Sequence, residues 1–124
     1  MDKPLAFVIE DDQDLAFVFS AAISSAGYQV ETFLDGSAAV ERLATAVPYL
    51  VVLDLHLPGV TGPEIFRIIR SDPRLAEARI IIASADERLA DTFRHQSALV
   101  LLKPISFVQL SGLAQRLLKK PASE

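Results

Sequence analysis

Five short apolar runs, each followed by a stretch of helical periodicity, constrain this 124-residue chain more than any other feature. The runs cover Leu5–Ile9, 28–33, 50–53, 79–83 and 98–102. Four of them are near-continuous in Val, Ile, Leu, Ala and Phe, the composition of strands buried on both faces of a parallel sheet. The run 28–33 differs, because Val30 and Phe33 are mixed with Gln29, Glu31 and Thr32. That mixture predicts an edge strand, half in water.

The intervening segments carry helix punctuation. From Asp12 to Gly27, apolar residues recur at Leu15, Val18, Phe19, Ala22, Ile23 and Ala26, the i, i+3, i+4 spacing of a helix stripe. Asp12 or Asp14 can cap its start, and Gly27 stands where a positive φ ends a helix. A second helix is predicted from about Asp35-Gly36-Ser37 to before Pro48. A third has Pro63 in its first turn and a stripe of Ile65, Ile68 and Ile69. The fourth, roughly 87–95, has the weakest stripe, Leu89, Ala90 and Phe93, with His95 at its end. The fifth opens on Ser106-Phe107-Val108-Gln109, a capping-box pattern, and presents Leu110, Leu113, Ala114 and Leu117.

Strict β-α alternation with short connections predicts a doubly wound α/β fold: five parallel strands and five helices. With 28–33 at an edge, the flavodoxin-like strand order 2-1-3-4-5 follows. Ligands of such sheets sit beyond the carboxyl ends of the strands, at the switch point between strands one and three. Those ends hold Glu10-Asp11-Asp12, Asp54, Ser84 and Lys103-Pro104. A carboxylate at the end of a buried strand has to be solvated, paired or metal-bound, since burying it alone is prohibitively costly. Hydrophobicity alone places the strands, so the convergence of these polar residues is independent support for one acidic, phosphate-handling site.

Composition narrows the function. The chain is 51% apolar, enough for the core of one domain, and has no cysteine, so neither disulfides nor thiolate chemistry apply. A net charge of −4 lacks the basic footprint of direct nucleic-acid binding. No signal-like segment opens the chain and no apolar run approaches the roughly 18 residues of a membrane span, so a cytoplasmic protein is expected. Residues 1–120 read as one domain and 121–124 as a tail or the start of a linker.

These motifs resemble the receiver domain of two-component response regulators, over nearly the whole chain. The resemblance rests on Glu10-Asp11 after strand one, Asp54 followed by Pro58 and Gly62, the hydroxyl-small pair Ser84-Ala85, and Lys103-Pro104. It implies a phosphoacceptor: Asp54 takes a phosphoryl group from a phosphohistidine on a sensor histidine kinase or histidine phosphotransfer protein. It implies Mg²⁺ (or Mn²⁺), with Asp11 a direct ligand, Glu10 a ligand through water and the His56 backbone carbonyl completing the protein's share. Three crowded carboxylates also favour such an ion on electrostatic grounds. Lys103 and the Ser84 hydroxyl would contact the phosphoryl oxygens, and a cis Lys103-Pro104 bond is implied. The His56 side chain would sit near the site entrance and tune phosphate lifetime. The output would pass to a fused or separate effector, from a monomer or weak dimer. The domain would catalyse its own phosphorylation and dephosphorylation while serving as a signalling module, not a classical enzyme.

Three departures from the family pattern stand out. Val100 occupies the position three before Lys103 where receivers usually carry an aromatic residue, so the usual aromatic switch is expected to be lacking. The interval from Ser84 to Lys103 is short around helix four, and Ser97-Ala98 replaces the usual glycine-alanine pair, which puts the common dimerisation face in doubt. Residues 16–29 carry no charge, and Phe17 falls off the helix stripe, a candidate contact for the phosphodonor. The alternative reading is a degenerate receiver that binds partners without being phosphorylated. Two enzyme-like readings fit poorly. A haloacid-dehalogenase-like phosphatase wants a second aspartate where His56 stands, and Glu10-Asp11-Asp12 would repel a flavin phosphate.

Overall fold

The computed structural model describes residues 2–96 and 98–118. Its strands are β1 (Leu5–Ile9), β2 (Gln29–Phe33), β3 (Leu50–Asp54), β4 (Arg79–Ser84) and β5 (Leu99–Leu102). Its helices are α1 (Gln13–Ser25), α2 (Gly36–Leu43), α3 (Gly62–Ser71), α4 (Glu87–Asp91) and α5 (Phe107–Leu118), with a 3-10 turn at Pro73–Leu75. The five strands form one parallel sheet in the order β2-β1-β3-β4-β5, as the alternation predicted. The tail expected at 121–124 and Ser97 of the Ser97-Ala98 pair lie outside the described residues.

Alternation along each strand divides the core into two layers. Phe7, Ile9, Val51, Leu53, Ile80 and Ile82 face α2, α3 and α4. Ala6, Val8, Leu50, Val52, Ile81 and Ala83 face α1 and α5. Each fully buried Ile or Leu contributes roughly 1.5–3 kcal/mol, so β1, β3 and β4 carry much of the stability. β2, with its Gln and Thr exposed, is the half-wet edge that its mixed sequence predicted.

Helix boundaries follow their caps. Asp12, not Asp14, caps α1, accepting from the Leu15 N–H at 3.0 Å, and Gly27 leaves the helix at φ 111°. Asp35 caps α2, and Thr61 with Glu64 forms a capping box on α3. At α5 the Gln109 N–H donates to Ser106 Oγ at 3.0 Å.

Several expected details are corrected. Val18 is partly exposed and Ala16 is buried in its place, because the α1 face turned to the sheet runs through Ala16, Phe19, Ala22 and Ile23. In α3, Ile68 faces outward while Phe66 is buried against Phe93, their rings 4.9 Å apart. The fourth helix ends at Asp91 and not at 95, so His95 lies in the turns that follow it. β2 begins at Gln29 and β5 at Leu99, one residue later than expected, while β3 and β4 extend one residue further to include Asp54 and Ser84.

Candidate functional site

Strand register alone gathers most of the predicted residues. Ile9 pairs with Leu53, so Glu10 and Asp54 follow side by side. Asp54 in turn pairs with Ala83, and Ser84 pairs with Leu102, which precedes Lys103. With neighbouring parallel strands about 4.8 Å apart, four polar side chains therefore share one end of the sheet. Glu10, Asp54 and Ser84 are buried, while Asp11 is exposed.

Carboxylate oxygens of Glu10, Asp11 and Asp54 lie within 4.8 Å of one another. Lys103 Nζ stands 2.9 Å from Glu10 Oε1 and 3.6 Å from Asp54 Oδ1. The His56 N–H donates to Asp54 Oδ1 at 3.4 Å, and the Asp12 N–H donates to Glu10 Oε2 at 3.1 Å. Three carboxylates against one ammonium leave two negative charges uncompensated when all are ionised. At these separations each like-charge pair costs about 3 kcal/mol at an effective dielectric of about 20, and less where Asp11 meets solvent. Burial pushes the Glu10 and Asp54 carboxyls above their usual range, and Lys103 only partly offsets this. For Lys103, burial opposes the charged form, but its contacts with Glu10 and Asp54 outweigh it and hold the ammonium above its ordinary value.

The donor set suits a hard divalent cation. Its side-chain donors are all oxygen, and the charge deficit equals that of one such ion. Glu10 is buried, and its Oε1 meets Lys103 Nζ at 2.9 Å, a charge-assisted contact.

The hydroxyl side of the site is as well ordered. Ser84 is fully buried; its Oγ accepts the Asp86 N–H at 3.0 Å and its carbonyl accepts the Lys103 N–H at 2.8 Å. Ala85 beside it is exposed, and the Lys103-Pro104 peptide is cis. The exposed His56 ring brings Nε2 to 3.4 Å from Asp86 Oδ2. Asp86 was not anticipated from the sequence, although an Asp directly before a helical segment signals an N-cap. It accepts from the Leu89 N–H at 3.0 Å, and that bond first, then His56, holds its carboxyl below the usual range.

Two predicted residues lie apart from this cluster. Val100 pairs with Ile82 in the middle of β5, half-buried in the layer facing α4. Phe17 is 76% exposed on α1, beside a cavity of about 400 Å³ lined also by Gln13, Ser20, Thr32 and Leu34.

Residues 6–115 match the model of a family described as the response regulator receiver domain. Among curated relatives, the phosphate regulon transcriptional regulatory protein PhoB of Rhizobium meliloti is 29% identical over 98% of this chain and 55% of its own length. The DNA-binding transcriptional regulator NtrC of Escherichia coli is 26% identical over 94% of this chain and 25% of its own. The sensor histidine kinase TmoS of Ectopseudomonas mendocina is 30% identical over 94% of this chain and 12% of its own. The chain thus spans about half, a quarter and an eighth of these relatives. Among solved structures, the signal receiver domain of a putative LuxO repressor from Vibrio parahaemolyticus matches with a TM-score of 0.83 at 26% identity, covering 95% of this chain and 92% of that one. The chemotaxis response regulator CheY4 of Vibrio cholerae matches with a TM-score of 0.80 at 21% identity, covering 93% and 98%, a likeness of fold.

Proposed function

This chain belongs to the response regulator receiver domain family, and from that premise we propose that it accepts a phosphoryl group on Asp54 from a phosphohistidine of a partner kinase or phosphotransfer protein. An Asp54 carboxylate oxygen attacks phosphorus, the phosphorus–nitrogen bond breaks, and the imidazole leaves with the electron pair. The reading is carried by the convergence of Glu10, Asp11 and Asp54, within 4.8 Å, with Lys103 3.6 Å from Asp54.

Each residue has a task that its placement supports. Glu10 and Asp11, with the His56 carbonyl, would hold Mg²⁺ or Mn²⁺. When bound, that ion neutralises charge on the phosphoryl oxygens. Lys103 remains protonated and offers a cation from the other side of Asp54, already matched to Glu10 in the resting chain. Ser84 exchanges its backbone partner for the arriving phosphoryl oxygen and donates to it. The His56 N–H holds the Asp54 carboxylate in place before the transfer.

Two finer points complete the proposal. With Val100 where an aromatic ring is usual, signal leaves this domain without a ring swinging beside Ser84. Phe17, exposed on α1, contacts the phosphodonor. Incubation with acetyl phosphate and Mg²⁺, followed by intact-mass and peptide-level mass spectrometry, tests the central step. One phosphoryl group on Asp54, absent in Asp54→Asn, is expected; an unmodified chain would leave the partner-binding, unphosphorylated reading in its place.

A further inference from the structure

The loop 55–61 carries two backbone groups of the site: the His56 N–H, which donates to Asp54, and the His56 carbonyl. Its register is set from outside. At Gly36, the first residue of α2, a Cβ would overlap the Val60 carbonyl oxygen and lie 2.7 Å from its carbon. Both are backbone atoms, so no side-chain rotation would relieve the overlap. The Gly36 N–H also donates to the Pro58 carbonyl at 3.0 Å. The contact is reciprocal: Gly59, at φ 78°, would place a Cβ 2.5 Å from Ser37 Oγ. Two glycines on separate segments thus let α2 and the loop interlock at van der Waals distance.

We infer that Gly36 is a positioning residue for the metal site, acting through the loop on the His56 peptide. The Pro58 carbonyl that Gly36 holds lies two residues from His56, so a shift of the loop at Pro58 and Val60 reaches the His56 backbone through Leu57. The His56 N–H bond to Asp54 Oδ1 is 3.4 Å long, near the limit of a hydrogen bond, so a small displacement of the loop breaks it. A displacement of that size also re-aims the carbonyl of the same residue. Groups hydrogen-bonded to a metal ligand change affinity by about 10–100-fold when altered, and Gly36 acts one step further out, so a loss at the low end of that range is expected. This inference rests on the reading of the His56 carbonyl as a metal ligand.

Mn²⁺ titration of the whole chain, followed by electron paramagnetic resonance, tests it. Gly36→Ala should bind Mn²⁺ about 10-fold more weakly than wild type while its circular dichroism remains that of a folded chain. Ala39→Gly, which weakens α2 three residues away without adding atoms at the loop, should keep wild-type affinity. Gly59→Ala supplies a second arm if Gly36→Ala does not fold. It should lower affinity, and Ser37→Ala in the same chain should restore part of it by removing the opposing hydroxyl. Wild-type affinity in a folded Gly36→Ala, equal loss in Ala39→Gly, or no rescue by Ser37→Ala would each overturn the positioning role. A wild-type chain that binds no Mn²⁺ would instead refute the metal reading on which it rests.

Discussion

The two halves of the sheet's carboxyl edge differ in kind. At β1 and β3, buried strands end in Glu10 and Asp54, and the loops beyond them are held by tight backbone contacts. At β4 and β5, Ser84 and Lys103 are equally well placed, but α4 has only five residues, and β5 is a partly exposed edge with Val100 at its centre. The first half is complete by the family's pattern and the second is reduced. Under the proposed function, receiving a phosphoryl group draws on Glu10, Asp54, Ser84 and Lys103, which both halves supply, while passing the signal on falls to the reduced half. The proposed output would run through that half, where α4 has five residues and Val100 stands in β5.

The largest effect that would break this contrast is expected at Lys103. Lys103→Met leaves Glu10 and Asp54 buried with no cation between them, which should cost roughly 3 kcal/mol in metal-free buffer. Urea unfolding checks it, and added Mg²⁺ should recover part of the loss. If Lys103 were an ordinary surface lysine, the change would be near zero.

Next comes the pH dependence of the metal-free chain. Folded Asp54 and Glu10 hold their protons above the ordinary carboxylate range, chiefly through burial, so the native state binds more protons than the unfolded one. Their contribution is therefore present in full below the ordinary value of about 4 and is lost as pH rises through the raised native values. Asp54→Asn should flatten that decline and stabilise the metal-free domain at neutral pH by roughly 1 kcal/mol, about 3–5 °C in Tm. Thermal melts between pH 4 and 8 would show it.

At the reduced half the expected effect is smaller. Beryllofluoride treatment, compared with the untreated chain by amide chemical shifts, should perturb the loops around Asp54 and Ser84 and leave Val100 little moved. A large rearrangement of β5 and α4 would show that the usual switch operates without its ring. The smallest effect belongs to Phe17. Being 76% exposed, its replacement by Ala should change stability by less than about 0.5 kcal/mol and leave acetyl phosphate labelling intact, while slowing transfer from a partner protein. Unchanged partner transfer would remove Phe17 from the interface.

The same contrast governs how much was legible in the sequence. Continuous apolar runs located the strands, and their polar end residues located Glu10, Asp54, Ser84 and Lys103, because strand ends in a parallel sheet share one edge. Helix faces were less legible where apolar residues exceed the buried arc. In α3, Ile65, Phe66, Ile68 and Ile69 compete for it, and packing on Phe93 buries Phe66 and turns Ile68 out. In α1, small Ala16 lies closer to the sheet than Val18, which size-based reading cannot see. Contacts between distant segments were invisible altogether: the His56–Asp86 pair and the interlock of Gly36 with Val60 exist only once the loops are folded together.

The account depends most on the claim that three crowded carboxylates make the folded chain a divalent-cation site. Thermal unfolding at neutral pH, with and without Mg²⁺ at matched ionic strength, tests it directly. A ligand that binds only the folded state at about ten times its Kd should stabilise the wild-type chain by roughly 1.4 kcal/mol, and Asp11→Asn should lose most of that gain. A wild-type Tm indifferent to Mg²⁺, or a gain undiminished in Asp11→Asn, would contradict the claim.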